Sequence, residues 1–276
     1  MSSTPHTALV RRPFEGIPAE RDLVAMRQLI PAATIEAATT AEHGSVRVII
    51  ATILPMAWPA IRRSDGSVII GLQATVPTDD LSRSFGQALA QALEAEPGTP
   101  VRTVSPSADS PRLQDLLDLD GDFPIAVHES FEFWIDPGAE RTAEVEASLA
   151  QANESIMPTA PVEGLEHAYW VDAGAKEHLR WVLDAEEDRV YDAVARLHAR
   201  RESAIAEGTR YVGSFRAEGL TVPVWDLPDG FGAAGVAEHA AEFRARFLAA
   251  LESTEPLTAL ERRARGGIVA RQVTLR

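Results

Sequence analysis

The chain of 276 residues contains no cysteine. Disulfide bonds, thiolate nucleophiles and cysteine-ligated zinc or iron–sulfur centres are therefore excluded together. A covalent nucleophile would have to be an oxygen or a nitrogen atom. A chain without disulfides fits a reducing compartment, so we expect a cytoplasmic protein.

Long hydrophobic runs are also missing. The most apolar segment, Val48–Ile61, is shorter than the roughly 20 residues of a membrane-spanning helix, and Pro55 and Pro59 interrupt it. Near the start of the chain, Arg11-Arg12 is followed by Pro13-Phe14-Glu15-Gly16, where a twin-arginine export signal would need an apolar run. We therefore expect neither a membrane span nor an export signal.

Positive charge is scarce. Lys and Arg total 26 against 41 Asp and Glu, which gives a formal net charge of −15. Such a field repels phosphate backbones and would steer basic partners, so we expect a protein partner and no direct binding of nucleic acid. A charge that serves solubility alone is the simpler interpretation. A weaker hypothesis is an acidic decoy that occupies a nucleic-acid-binding protein. The end of the chain differs, because no acid follows Glu261 and five arginines do: Arg262, Arg263, Arg265, Arg271 and Arg276.

The common catalytic motifs are absent as well. The sequence has no His-Glu-x-x-His, no Gly-x-Ser-x-Gly and no glycine-rich phosphate loop. We therefore expect no cofactor and no metal centre. The sequence does not establish a function, and it favours a non-catalytic interaction or regulatory protein.

Apolar spacing predicts helices in the first half of the chain. Glu20–Ile30 is predicted as a short helix that Pro31 ends. A second helix is predicted after Asp79 or Asp80, either of which can cap it, because apolar residues recur every four positions at Leu81, Phe85, Leu89 and Leu93.

Two pairs of β-branched segments predict β-hairpins. Val46–Leu54 and Ser67–Val76 are connected through Ser64-Asp65-Gly66, a turn tripeptide. Arg210–Arg216 and Leu220–Leu227 flank a Glu-Gly turn in the same way, and a helix over Ala237–Leu251 is predicted to follow.

One short pattern is written twice, in Phe131–Ala139 and in His167–Ala175. Each copy reads aromatic-Trp-β-branched-Asp-x-Gly-Ala. We interpret each copy as a strand that ends in a helix cap, with Asp136 and Asp172 accepting hydrogen bonds from the first helical turn. Pro137 fits the first position of such a helix.

The fold predicted from these elements is α+β. An antiparallel or mixed sheet is built from the two β-hairpins and two strand-helix units, and helices cover it. The helix of the first unit would run through Val145 to Ile156, and that of the second through Leu179 to Ile205. The doubled pattern implies internal pseudo-symmetry if it reflects duplication, and chance recurrence is the alternative.

The expected domain organisation is an N-terminal arm over residues 1–18 and a single α+β domain over residues 19–276. The Ser- and Pro-rich stretch 105–112 is the best candidate for a boundary. Two lobes, 19–104 and 113–276, are therefore the alternative.

His128, Glu129 and Glu132 are the candidate catalytic residues. Strand alternation would put His128 and Glu132 on one face, where they could perform acid–base chemistry or contribute ligands to a metal. A metal-assisted or acid–base hydrolase is thus the alternative to an interaction protein. A hydrated outer face is the simpler interpretation of the same residues.

Two further segments have partial signatures. Asp118, Asp120, Asp122 and Glu129 match four acidic positions of a calcium-binding loop, but its glycine position is Phe123. Trp58 and Trp225 stand beside prolines and could line a peptide groove, although buried core is the commoner role of tryptophan.

Four segments together resemble an uncharacterised actinobacterial protein family, a domain of unknown function, over nearly the whole chain. They are Arg12-Pro13-Phe14-Glu15-Gly16-Ile17-Pro18, Ile30-Pro31-Ala32-Ala33-Thr34, Leu54-Pro55-Met56-Ala57-Trp58-Pro59 and Val222-Pro223-Val224-Trp225-Asp226-Leu227. The resemblance implies no activity. Some members bear a topoisomerase II label, which this acidic chain without a nucleotide-binding motif does not support.

Overall fold

The computed structural model describes residues 9–74 and 77–274, with the side chains of 271–274 left undescribed. The chain divides into two compact units, Met1–Ile156 and Met157–Arg276. Both units combine helices with an antiparallel or mixed sheet, so the α+β class is confirmed. The Ser- and Pro-rich stretch 105–112 lies within the first unit, and the division falls after Ile156 instead.

The first unit is built around a six-stranded sheet with the order β5-β3-β4-β2-β1-β6. Neighbouring strands are antiparallel except β2 and β4, which are parallel. The elements are α1 Glu20–Gln28, β1 Ala33–Ala38, β2 Arg47–Ala51, β3 Ala60–Arg62, β4 Val68–Gly71, α2 Leu81–Glu94, β5 Pro100–Val101, α3 Leu113–Leu116, β6 Ile125–Val127 and α4 Ala143–Asn153.

The first predicted hairpin is wrong in its pairing. Ser64-Asp65-Gly66 does make a turn, but the turn joins β3 to β4. β2 lies parallel to β4 on the other side, because the chain leaves β2, forms a loop bracketed by Pro55 and Pro59, and returns as β3. Thr75 and Val76, the predicted end of the second strand, lie outside the described residues.

Helix α2 begins where the sequence predicts it, directly after Asp80. The carboxylate of Asp80 accepts a hydrogen bond from Ser82 N at 3.0 Å, as an N-cap residue does. Phe85 on this helix is buried, and its ring lies 6.0 Å from that of Phe14, which is 0% exposed. The expected N-terminal arm therefore contributes to the core of the first unit at Phe14 and Ile17; residues 1–8 lie outside the described part.

The second unit is an antiparallel sheet of five strands with the order β10-β11-β9-β8-β7 and three helices on its described residues. The predicted β10–β11 hairpin is confirmed, and α6 contains the helix predicted over Ala237–Leu251. The elements are β7 Thr159–Pro161, β8 Ala168–Asp172, β9 Glu177–Trp181, α5 Glu187–Ala199, β10 Arg210–Ala217, β11 Leu220–Leu227, α6 Gly232–Glu252 and α7 Ala259–Thr274.

The helix-cap roles of Asp136 and Asp172 are wrong. Asp172 ends β8, and its Oδ1 accepts from Gly174 N at 2.8 Å in the turn that leads to β9. Asp136 follows a short 3₁₀ turn, Glu132–Trp134, and its carboxylate accepts from the backbone and the hydroxyl of Ser64. An aspartate that accepts backbone N–H groups closes turns as readily as it caps helices, which explains the error.

The long helix predicted from Leu179 is also wrong. Leu179 and Trp181 are buried and alternate with half-buried His178 and Arg180, the period of two of a strand. They form β9, and α5 begins only at Glu187. Across the described residues, no helix combines the length and the apolar character that crossing a membrane requires.

Candidate functional site

The three predicted catalytic residues are not bonded to one another. His128 follows β6, and its Nε2 lies 2.8 Å from Oγ1 of Thr34. Burial lowers the pKa of His128, which favours the neutral imidazole. Both carboxylate oxygens of Glu132 pair with Arg141, at 2.9 and 3.0 Å. Glu129 is exposed, and no hydrogen bond or ion pair joins His128 to either glutamate within the described residues.

The acidic loop before His128 does not form a metal cage. Asp118 uses its Oδ1 to accept a hydrogen bond from Asp120 N at 3.3 Å, within its own turn. In the part of the chain that the structure describes, no group of three or more His, Asp or Glu residues is placed to hold a metal ion. Neither the calcium loop nor the metal version of the hydrolase therefore has a preformed site there.

Trp225 is a core residue and cannot line a groove. It is 1% exposed, and its ring packs edge-on against Phe243 and Phe247 of α6. Its Nε1 donates to the carbonyl of Ser203 at 2.9 Å, which satisfies the only polar atom of the indole. The expectation of a binding role for Trp225 is corrected by this burial.

Trp58 lies in a different setting, on a loop of the first unit that we call the Met56 loop, residues Ile53–Trp58. Met56 projects from it with 79% of its surface exposed, and Ile53 is 38% exposed. Leu54, between them, is buried and anchors the loop in the apolar cluster under the sheet. The loop thus presents apolar side chains from an anchored base.

Both ends of the Met56 loop are fixed by hydrogen bonds. The amide of Gln73 accepts from Leu54 N and donates to the carbonyl of Trp58, both at 3.1 Å. Trp134 Nε1 donates to the carbonyl of Ile53 at 2.8 Å. These three contacts come from residues distant in sequence, so the shape of the loop is set by the fold of the unit.

The backbone of the Met56 loop is unusual at two consecutive residues. Met56 has φ 55° and Ala57 has φ 54°, in the left-handed region that side chains with a Cβ avoid. Sequence reasoning missed this feature, since neither methionine nor alanine favours such a conformation. The only available signal was the pair of flanking prolines.

Arg102 completes this surface. Its guanidinium lies 5.9 Å from the centre of the Trp58 ring, a cation–π contact. The side chain is exposed, and no ion pair joins it to another described residue. The Met56 loop therefore combines apolar groups with a cation whose donors are available.

A second cluster of charges, in the second unit, is structural. The carboxylate of Asp226 pairs with Lys176 at 2.9 Å, Arg210 at 3.2 Å and His178 at 3.1 Å. Burial raises the pKa of Asp226, but the bonds from Lys176 and Arg210 outweigh it and lower the pKa overall. The ionised carboxylate ties together β9, β10 and β11, and Lys176, the one lysine, takes part.

Comparisons with known proteins bear on the family alone. Neither a curated protein nor a solved structure matches the chain. A family model described as "Family of unknown function (DUF5926)" matches residues 13–276. That range includes the Met56 loop and nearly all of both units, so this chain belongs to the family of unknown function DUF5926.

Proposed function

We propose that this protein is a non-catalytic interaction protein that binds a partner protein through the Met56 loop. The observation that carries the proposal is the exposure of Met56, 79%, on a loop held in a left-handed conformation. The left-handed backbone opposes folding, and strain of this kind is concentrated at functional sites.

The backbone conformation of the Met56 loop has an energetic cost. A left-handed residue that has a Cβ costs about 1–2 kcal/mol, so Met56 and Ala57 together cost roughly 2–4 kcal/mol. The hydrogen bonds from Gln73 and Trp134 hold the loop in place despite this cost. Strain of this kind persists only where the surrounding structure holds it, as these bonds do here.

The partner is a protein of net positive charge with an apolar pocket for Met56. The net charge of −15 steers basic partners toward this chain at long range. Methionine suits such a contact because its unbranched side chain adapts to a pocket. Arg102, stacked on Trp58, supplies donors for a carbonyl or carboxylate at the rim. We place this interaction in the cytoplasm.

The test compares the full-length chain with Met56→Ser as bait in extracts of the native organism, followed by affinity measurements on each purified partner. Met157→Ser, in the second unit, is the matched control, because Met157 is also exposed. Burying a methionine contributes about 1.5–3 kcal/mol, so Met56→Ser should weaken binding roughly tenfold or more.

Two results would contradict the proposal. One is that Met56→Ser and Trp58→Ala bind every purified partner as tightly as the wild type. The other is that light scattering finds a dimer of this chain that Met56→Ser disrupts, which would make a second copy the occupant of the loop. Binding to a purified basic protein that weakens with added salt would support it.

A further inference from the structure

A cleft of about 380 Å³ lies in the second unit where α5 and α6 end and α7 begins. Its volume is within the range of small-molecule pockets. Three arginines line it: Arg196 from α5, Arg200 directly after α5, and Arg246 from α6. Three glutamates line it as well, Glu202, Glu255 and Glu261, so binding of an anion depends on which arginines keep free donors.

The central observation is the environment of the Arg196 side chain. The residue is only 8% exposed, and its guanidinium donates to the carbonyl of Glu255. No carboxylate of the described residues lies within ion-pair distance of it. A buried guanidinium whose bond goes to a neutral carbonyl keeps further N–H donors, so the position is suited to an anion that arrives from outside.

The other two arginines differ in their availability. Arg246 is used by the fold, because it donates to the carbonyls of Glu202, Ala204 and Ile205. Arg200 directly follows α5, one turn after Arg196, is half exposed, and makes a single loose ion pair with Glu202 at 3.4 Å. Arg196 and Arg200 are therefore the pair that can bind a ligand.

Glu261, one of the acids that line the cleft, is held by Thr258 and is beyond ion-pair distance of Arg196 and Arg200. Glu261 accepts from Thr258 N at 2.7 Å, and Thr258 accepts from Glu261 N, so the two form a capping box at the start of α7. The bond from Thr258 is the main cause of the lowered pKa of Glu261, and the charges of Arg196 and Arg200 add to it. The positive end of the α7 dipole faces the same cleft.

We propose that this cleft binds a small organic ligand through an anionic carboxylate or phosphate group. The anionic group lies on Arg196 and Arg200, since a guanidinium binds either group through paired N–H donors. The apolar part of the ligand packs against Ala249, Ala250 and Pro256, which form the rest of the wall. The site lies apart in sequence from the Met56 loop and goes beyond the interaction proposed for it.

The experiment uses the full-length protein and three probes at constant ionic strength: pyrophosphate, succinate and the neutral succinamide. Calorimetry measures affinity, and amide chemical shifts between Ser253 and Glu261 locate the binding. We expect saturable binding of pyrophosphate or succinate, and none of succinamide. Whether phosphate or carboxylate binds more tightly identifies the class of ligand.

The variants decide the assignment. Arg200→Gln should weaken probe binding roughly tenfold or more, because it removes a charged hydrogen-bond donor. Arg263→Gln makes the same charge change on α7 and lines a neighbouring cleft, so it should bind as the wild type does. Arg196→Gln should abolish binding, and circular dichroism checks its folding. If that variant is unfolded, Arg200→Gln alone decides.

The proposal is overturned if no anionic probe binds saturably, or if Arg200→Gln and Arg263→Gln bind equally well. It is also overturned if the shifted amides lie outside the cleft. Met56→Ser should bind the probes as the wild type does. A failure here is therefore distinguishable from a failure of the proposed interaction.

Discussion

Glu177→Gln should destabilise the second unit strongly at neutral pH. The carboxylate of Glu177 is buried at the start of α6, where it accepts from the backbone N–H groups of Gly230 and Gly232, the latter at 2.7 Å. It also accepts from Trp170 Nε1 at 2.6 Å. One side chain of β9 thus satisfies three donors from two other parts of the unit.

The magnitude follows from what glutamine can replace. Its single carbonyl oxygen can accept on one side only, so its NH₂ group must face at least one N–H donor. A hydrogen bond to a charged group contributes about 1.5–3 kcal/mol, and an anion at a helix N-terminus about 0.3–1 kcal/mol, so we expect a loss of roughly 2–4 kcal/mol. Glutamine has nearly the same volume, so packing is unchanged.

The effect should depend on pH in a defined direction. Burial raises the pKa of Glu177, but the bonds from Gly232, Trp170 and Gly230 outweigh it and lower the pKa overall. A carboxyl group whose pKa is lower in the folded state stabilises above its unfolded pKa of about 4.3 and loses that contribution as the pH falls through the folded value. The gap between wild type and Glu177→Gln should therefore shrink below about pH 4.

The assay is urea unfolding at several pH values, with hydrogen exchange at the start of α6 as a local readout. Glu163→Gln is the matched control, because Glu163 is exposed in the same unit, and it should change stability by less than about 0.5 kcal/mol. If Glu177→Gln is as stable as this control at pH 7, or if the gap does not shrink in acid, the reasoning is refuted.

Three smaller predictions concern residues already placed. Ala57→Gly should stabilise the protein by about 1 kcal/mol in urea unfolding, because glycine adopts φ 54° without strain; a destabilised variant would contradict this. Trp225→Ala should lower the free energy of unfolding by about 3–5 kcal/mol, because Trp225 is in a core, and Trp58→Ala should lower it by about 1 kcal/mol. Thermal unfolding of the two variants measures the difference. Asp136→Ala should cost about 1 kcal/mol by losing both bonds to Ser64, and an unchanged midpoint would count against those bonds.

The elements that sequence reasoning predicted correctly depend on local signals. Helix α2 has both an apolar period and a cap at Asp80, and β10–β11 has a Glu-Gly turn between two β-branched runs. The parallel pairing of β2 with β4 has no such signal, because it depends on where the chain returns after the Met56 loop. Long-range pairing of this kind is fixed by tertiary packing rather than by any one segment.

The candidate site could be predicted only in part. The neighbouring prolines singled out Trp58, whose binding role stays a prediction, but the same reasoning selected Trp225, which the fold buries. Met56 was missed because its backbone conformation opposes its own propensity. The loop is held by Gln73, 17 positions further along in the numbering, and by Trp134, on a separate segment. A short stretch of sequence around Met56 contains neither of these two residues.

Of the acids that the sequence offered for catalysis, Glu132 is paired with Arg141 through both oxygens, whereas Glu129 is exposed. Two further carboxylates are held by the fold: Glu177 accepts from Trp170, Gly230 and Gly232, and Asp226 accepts from Lys176 and Arg210. The bonds from these donors lower the pKa of Glu177 and of Asp226, which makes these two carboxylates poor general bases near neutral pH. The groups left for an external partner are the exposed side chain of Met56 and the guanidinium of Arg196, which has no carboxylate beside it among the described residues. An apolar group and a buried cation are suited to binding rather than to proton transfer, which is why we propose an interaction protein rather than a hydrolase.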